Sequence, residues 1–307
     1  MTRPEQVRLV EVAPRDGLQN ETGQVTTQSK VELIRRLAHA GLCDIEAAAF
    51  VSPRWVPQMA GSGEVMRAVN AERHDWPSAR YSALTPNLRG LEDALAAGVD
   101  EVAVFAAASE SFSQRNINCS ITESLQRFEP VMTRAAAAGV SVRGYISCVA
   151  GCPYEGQVSP QRVAEVARAL RDMGCYEISL GDTIGTGNPD SIRRMLEAVL
   201  RDIPATRLAG HYHDTYGMAI ANIHASLELG LGVFDASVAG LGGCPYAVGA
   251  SGNVATEDVL WLLHGLGYDT EVDLDQVVST AHWISDVLQR PPASRVARAL
   301  LAGNCAA

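Results

Sequence analysis

Lysine is almost absent from this 307-residue chain: Lys30 is the only one, and arginine supplies the rest of its 25 basic residues. A Schiff-base aldolase needs a strand-borne amine to form its imine. Lys30 stands at the start of a predicted helix instead, which sets that chemistry aside. Positive charge is short overall, since 35 acidic residues leave a net charge of −10. No broad basic face remains to neutralise phosphates, so a nucleic-acid partner is excluded. No apolar run reaches the roughly 18 residues of a membrane span. The opening MTRPEQVRLVEVAPRDG also lacks the apolar segment of a signal peptide. We expect a cytoplasmic protein without membrane association. The seven cysteines (Cys43, Cys119, Cys148, Cys152, Cys175, Cys244 and Cys305) include no CxxC pair, a pattern of reduced thiols rather than of a disulfide framework. Cys148 and Cys152 stand four apart, but no second pair follows at zinc-site spacing, so structural zinc is not expected. A GxGxxG phosphate turn is missing too: PRDGLQNE follows the first apolar run, which argues against a doubly wound dinucleotide-binding sheet.

What is present is a periodic α/β pattern. Hydrophobic residues make up 47% of the chain and charged residues 20%, enough for a large core. Eight short β-rich runs begin at residues 8, 43, 80, 101, 141, 177, 207 and 233 and end at 13, 50, 85, 108, 149, 182, 213 and 240. Amphipathic stretches such as QSKVELIRRLAHAG and SPQRVAEVARALRDMG alternate with them, many stopping at glycine. Alternating β and α with short links predicts a parallel sheet, and eight units close into a (β/α)8 TIM barrel. We read residues 1–307 as a single α/β domain, the barrel spanning about residues 7–268 and a C-terminal helical extension about 270–302.

In such a barrel the C-terminal ends of the strands share one site. The polar residues there are Arg15 and Asp16 after the first strand, Glu46 in the second, Asp182 after the sixth, and His211 and His213 in the seventh. The glycine-rich loop GLGGCPYAVGASGN follows the eighth. His211 and His213 are two apart and so project from one face of a strand, with Tyr212 turned to the other. A lone HxH is often two unrelated polar residues, but several charges meeting at the functional end of a barrel make a site. With Asp16 and the Asn253 amide oxygen the imidazoles form a mixed N/O donor set, suited to Mg²⁺, Mn²⁺ or Fe²⁺ rather than to thiolate-bound zinc. His39, His74, His224, His264 and His282 fall on helical or loop patterns and read as surface or satisfied side chains. Trp55 is either a wall of the substrate channel or a loop anchor.

The stretches VEVAPRDGLQNE, FVSPRWVPQMAG, RGYISCVAGCPYEG, YEISLGDTIGTGNP, HYHDTYG and SVAGLGGCPYAVGASGNVATED resemble the 3-hydroxy-3-methylglutaryl-CoA lyase family, over about residues 7–290. The resemblance implies a barrel enzyme using Mg²⁺ or Mn²⁺ that cleaves the acyl-CoA to acetyl-CoA and acetoacetate. It further implies Asp16, His211, His213 and Asn253 as metal ligands, and Arg15, Asp16, Glu46, His211 and Cys244 as catalytic or supporting residues. Homo-oligomerisation, as a dimer or higher, is expected with it. Ala47 to Ala49 and Tyr212 depart from what relatives often carry, which points to a difference in the shape of the acyl pocket. Arg54 and Arg115 are candidate partners for CoA phosphates. Three alternatives stand beside this reading. A lyase for a longer C3 branch and a non-catalytic metal- or acyl-CoA-binding barrel both suit the same residues. A Claisen-type synthase would normally carry a further regulatory domain, for which residues after 290 leave no room.

Overall fold

The structure, a computed structural model, describes residues 2–21, 23–243 and 252–304. Ten strands occur among them: β1 (Arg8–Glu11), β2 (Asp44–Ala49), β3 (Arg80–Leu84), β4 (Glu101–Ala107), β5 (Ser141–Ser147), β6 (Gly151–Cys152), β7 (Gly156–Gln157), β8 (Glu177–Asp182), β9 (Leu208–Tyr212) and β10 (Val233–Ala236). β6 and β7 make a small hairpin that sequence reading missed. The other eight close into a parallel barrel in the order β1-β10-β9-β8-β5-β4-β3-β2, which is the expected TIM barrel. Every residue of β2, β8 and β9 is buried, because helices cover the outer face while side chains fill the barrel. That is why these strands read as continuous runs rather than as alternation.

The helices start and stop where local chemistry dictates. Thr26, Asn87, Ser109, Ser120, Ser159 and Asn188 each accept a backbone N–H of the helix that follows, satisfying donors that have no intrahelical partner. Gly139 (φ 70°) and Gly174 (φ 107°) end helices Ile121–Ala138 and Pro160–Met173 in the left-handed conformation. Helix Ser62–Ala71 escaped the sequence reading because Gly61 precedes it without a capping side chain. The helical extension lies as Leu274–Leu288 and Arg295–Asn304, packed on helices Thr27–His39 and Thr256–Gly265.

Most strands end short of their apolar runs; β10 stops at Ala236, not at Gly240. The leftover residues curl into the turns that form the site, and two local irregularities set its geometry. Ala13–Gly17 is a single π-helical turn, closed by Gly17 N donating to Val12 O at 3.0 Å, a form frequent at functional sites. In the β2–β3 pairing, Glu46 faces Ser82 while Ala48 faces Ala83. The bulge falls at Ala47 and re-aims the side chain beside it.

Candidate active site

The π-turn presents consecutive residues to the barrel mouth. Arg15 lies over β2, where its Nε donates to Glu46 Oε2 at 2.7 Å and its Nη2 reaches the same oxygen at 2.6 Å. Its Nη1 donates to Asp16 Oδ1 at 2.5 Å. Gly17 is dictated by a close approach: a Cβ there would stand 2.6 Å from Ser237 Oγ and 2.9 Å from Leu241 Cβ. The RDG triplet is thus a cation, a ligand candidate and a residue small enough to press against the loop after β10.

His211 is the last residue but one of β9, and His213 lies just past the strand, bridged antiparallel to Asn253. His213 was expected within the strand. The correction matters little to direction, since the two Nε2 atoms converge at 3.4 Å. His211 Nε2 is 3.9 Å from Asp16 Oδ2, and one donor atom from each of Asp16, His211 and His213 lies within 4.8 Å of the others. Asn253 joins through its amide nitrogen, which donates to Asp16 Oδ2 at 2.8 Å. The expectation was its oxygen: a carboxylate neighbour draws the N–H₂, whereas a cation would take the oxygen after a half-turn of the amide plane. Gly242 and Gly252 hold the base of the intervening loop, since a Cβ on Gly252 would fall 2.3 Å from the Gly242 carbonyl carbon. Cys244, the proposed loop cysteine, lies outside the described residues.

Electrostatics separate the donors. Burial alone would raise the Asp16 carboxyl, but the Arg15 charge, then His211 and His213, hold it well below the ordinary range. Burial, aided by His211, lowers His213 to about 4, so it is a neutral imidazole near neutral pH. Burial also works against His211, yet its bond to Asp235 and that carboxylate's charge raise it above the ordinary value. Glu46 is fully buried and raised by desolvation, with Arg15 opposing. His213 Nδ1, Glu46 Oε1 and Asp182 Oδ1 have no hydrogen-bond partner among the described residues. An ionised carboxylate, two imidazole nitrogens and an amide at this spacing fit a divalent cation of the hard or borderline kind.

Above the cluster opens a cavity of about 1100 Å³ lined by Arg15, Asp16, His211 and His213 at its floor and by Leu84, Phe105 and Phe128 on one wall. Other expectations are sorted by it. Trp55 lines the mouth and is 84% exposed, the channel-wall reading rather than a buried anchor. Arg115 lines the cavity, its guanidinium 4.2 Å from the centre of the Tyr154 ring. Arg54 is exposed and is not among the lining residues. Asp182, likewise outside the lining, accepts Gly187 N at 2.8 Å and is raised by burial to about 6, so it braces a loop. Ala47 to Ala49 and Tyr212 do not touch the cavity either. Tyr212 points outward, its hydroxyl 2.9 Å from Ser226 Oγ, so neither departure shapes the pocket. Of the five remaining histidines four are exposed and His224 is half-buried. Lys30 sits in helix Thr27–His39, its ammonium on the Gln58 carbonyl. Sequence reading missed Tyr145 and Arg127, both on the cavity wall, and the buried Asp235 behind His211. Nothing local marks them out, because they lie inside otherwise ordinary runs.

The HMGL-like family profile matches residues 6–284. A Pseudomonas aeruginosa protein named 3-hydroxy-3-isohexenylglutaryl-CoA/hydroxy-methylglutaryl-CoA lyase is 59% identical, the match covering 98% of this chain and 99% of that one. The mitochondrial hydroxymethylglutaryl-CoA lyase of Bos taurus is 56% identical, covering 97% and 90%. Among solved structures, hydroxymethylglutaryl-CoA lyase from Pseudomonas aeruginosa superposes with a TM-score of 0.95 at 59% identity, covering 99% of this chain and all of that one.

Proposed function

The chain belongs to the HMGL-like family, and from that premise we infer that it cleaves 3-hydroxy-3-methylglutaryl-CoA to acetyl-CoA and acetoacetate. The observation that carries the reading is the Asp16, His211 and His213 donor cluster beside Arg15 on the floor of an apolar-walled cavity. We propose Asp16, His211, His213 and Asn253 as ligands of Mg²⁺ or Mn²⁺. When bound, the cation supplies Lewis acidity toward substrate oxygens and fixes their orientation.

The chain's own residues account for the rest. Asp16 or the neighbouring His211 is the proposed acceptor of the C3 hydroxyl proton. As that proton leaves, the C3 oxygen becomes a ketone, the bond between C2 and C3 breaks, and its electron pair passes to the acetyl thioester as an enolate. Arg15 is a permanent cation whose nitrogens are fixed by Glu46 and Asp16. It meets the thioester oxygen as negative charge appears there, stabilisation that acts in the transition state. Glu46 holds the guanidinium in place. Cys244, on the loop whose base Gly242 and Gly252 close, is the proposed donor of the proton that converts the enolate carbon to a methyl group.

A second reading rests on the wall of Leu84, Phe105, Phe112 and Phe128: an apolar surface of that extent suits a longer C3 branch, and the Pseudomonas aeruginosa relative is named for an isohexenyl substrate as well as the methyl one. A cytoplasmic location agrees with Cys43, Cys119, Cys152 and Cys175 being free thiols. A homo-oligomer agrees with the exposed Trp261 and Tyr216. The deciding assay follows acetoacetate release from 3-hydroxy-3-methylglutaryl-CoA by the metal-stripped chain with and without Mn²⁺ or Mg²⁺. Metal-dependent release is expected, and no release under either condition overturns the reading. The same assay with an isohexenyl-branched thioester ranks the two substrates by kcat/KM.

A further inference from the structure

We propose that Arg143, acting through Asp235, is a positioning residue that fixes His211 with its proton on Nδ1 and its Nε2 free for the metal. The inference rests on the metal reading above. It starts from register: Asp235 of β10 is the direct neighbour of His211 of β9, and both side chains turn into the barrel. Asp235 is 1% exposed. Its Oδ1 accepts Arg143 Nη2 at 2.7 Å, while its Oδ2 accepts Ser179 Oγ at 2.7 Å and meets His211 Nδ1 at 3.1 Å. A carboxylate paired with a guanidinium only accepts hydrogen bonds. His211 Nδ1 must therefore be the N–H, and the lone pair of a neutral ring is left on Nε2. That atom is the one facing Asp16 and His213.

Arg143 makes the arrangement rigid. Besides Asp235, its Nε donates to Glu177 Oε1 at 2.8 Å and its Nη1 to the Tyr145 hydroxyl at 2.9 Å, so its planar fork is held from β8, β10 and its own β5. The guanidinium cannot swing away from Asp235 without abandoning a buried partner. His213 offers the contrast, since its Nδ1 has no partner among the described residues. One histidine of the pair is therefore held in a single tautomer by a carboxylate that the other lacks among the described residues. Carboxylates that orient a metal-binding imidazole in this way commonly affect metal affinity by about 10- to 100-fold.

The test uses the full chain, metal-stripped, with Mn²⁺ alone as probe in calorimetric titration, and long-range ¹H–¹⁵N spectra of ¹⁵N-histidine-labelled protein. The wild type is expected to bind Mn²⁺ and to show His211 protonated on Nδ1. Asp235→Asn keeps Arg143 paired with Glu177, but its amide can donate to Nδ1 and move the proton to Nε2. Mn²⁺ should then bind about 10- to 100-fold more weakly. Arg143→Lys should lose part of that affinity, since one ammonium cannot span Glu177, Tyr145 and Asp235. A neutral wild-type His211 ring that carries its proton on Nε2 instead of Nδ1 overturns the inference, and it needs no variant to fold. Folded variants that match wild-type Mn²⁺ affinity within about twofold, well under the expected loss, overturn it while leaving the metal site standing. A wild type that binds no Mn²⁺ overturns the metal reading itself, and this inference with it.

Discussion

Two charged layers are stacked inside this barrel, both largely buried and differently finished. In the lower one, Arg143 meets Glu177, Asp235 and Tyr145 through its three nitrogens, Glu177 also meets Arg8, and both oxygens of Asp235 are taken. In the upper one, Arg15 puts two nitrogens on the same oxygen of Glu46. That leaves Glu46 Oε1 without a partner among the described residues, as His213 Nδ1 is, while two imidazole nitrogens crowd to 3.4 Å. Burial alone therefore does not distinguish a site from a scaffold here. Completeness is: a satisfied ion network is a platform, and an unsatisfied one awaits a ligand.

The sharpest way to break that distinction is to remove the central cation of each layer and compare the losses. Arg143→Met takes a guanidinium away from two buried carboxylates, Glu177 and Asp235, and truncating one partner of a buried ion network costs about 3–5 kcal/mol. Urea unfolding should show a loss of that size, and a change below about 1 kcal/mol, the scale of an exposed pair, would mean the lower layer is not structural. Arg15→Gln should cost activity instead. We expect kcat to fall about 10²- to 10³-fold, the scale of losing one oxyanion donor, with KM little changed. Glu46, already raised by burial, can take up a proton once Arg15 is gone, which limits the loss of stability. Arg15→Lys should not restore full activity, because an ammonium lacks the fork that reaches both Glu46 and Asp16. A large KM rise, or a destabilised fold with near-normal kcat, would move Arg15 into the structural class with Arg143.

Glu11 tests the middle ground, a buried carboxyl satisfied by neutral donors alone. It accepts Ala13 N and Val238 N on Oε1 and the Thr256 hydroxyl on Oε2, yet burial outweighs these bonds and raises it to about 7. The folded state thus holds a proton that the unfolded chain releases from about pH 4.5. Stability contributed by Glu11 is full below that pH, falls as pH rises to about 7, and is level beyond. Its slope cannot exceed about 1.4 kcal/mol per pH unit. Glu11→Gln, able to keep all three bonds, should flatten the unfolding profile in that window relative to wild type. Parallel profiles would show that Glu11 stays ionised.

The upper layer was far more legible in the sequence than the lower. RDG, HYHD and the loop after β10 carry chemistry in short motifs, and the period-two rule set both histidines on one side. The strands were legible because each is a buried run bounded by helical stops. Arg143 and Asp235, 92 residues apart, become neighbours only when the barrel closes. The bulge at Ala47 and the π-turn at Ala13–Gly17 depend on packing that no local preference encodes. Ala47 to Ala49 and Tyr212 were read toward the pocket because they depart from what relatives often carry; none of them lines the cavity.

Tyr212 yields the smallest expected effect and the finest test of how sharply the layers end. It follows His211 on β9 but faces helix Ala219–Glu228, where its hydroxyl donates to Ser226 Oγ, which in turn donates to the Asn222 carbonyl. It is 1% exposed and does not line the cavity. Tyr212→Phe removes one buried hydrogen bond and no ring volume, a loss of about 1 kcal/mol. Thermal unfolding should register that loss while kcat, KM and the preference between methyl and longer C3 branches stay at wild-type values. A shifted branch preference with unchanged stability would mean that the outer face of β9 reaches the substrate through His211, and that the site extends a strand's thickness beyond the Asp16, His211 and His213 donor cluster.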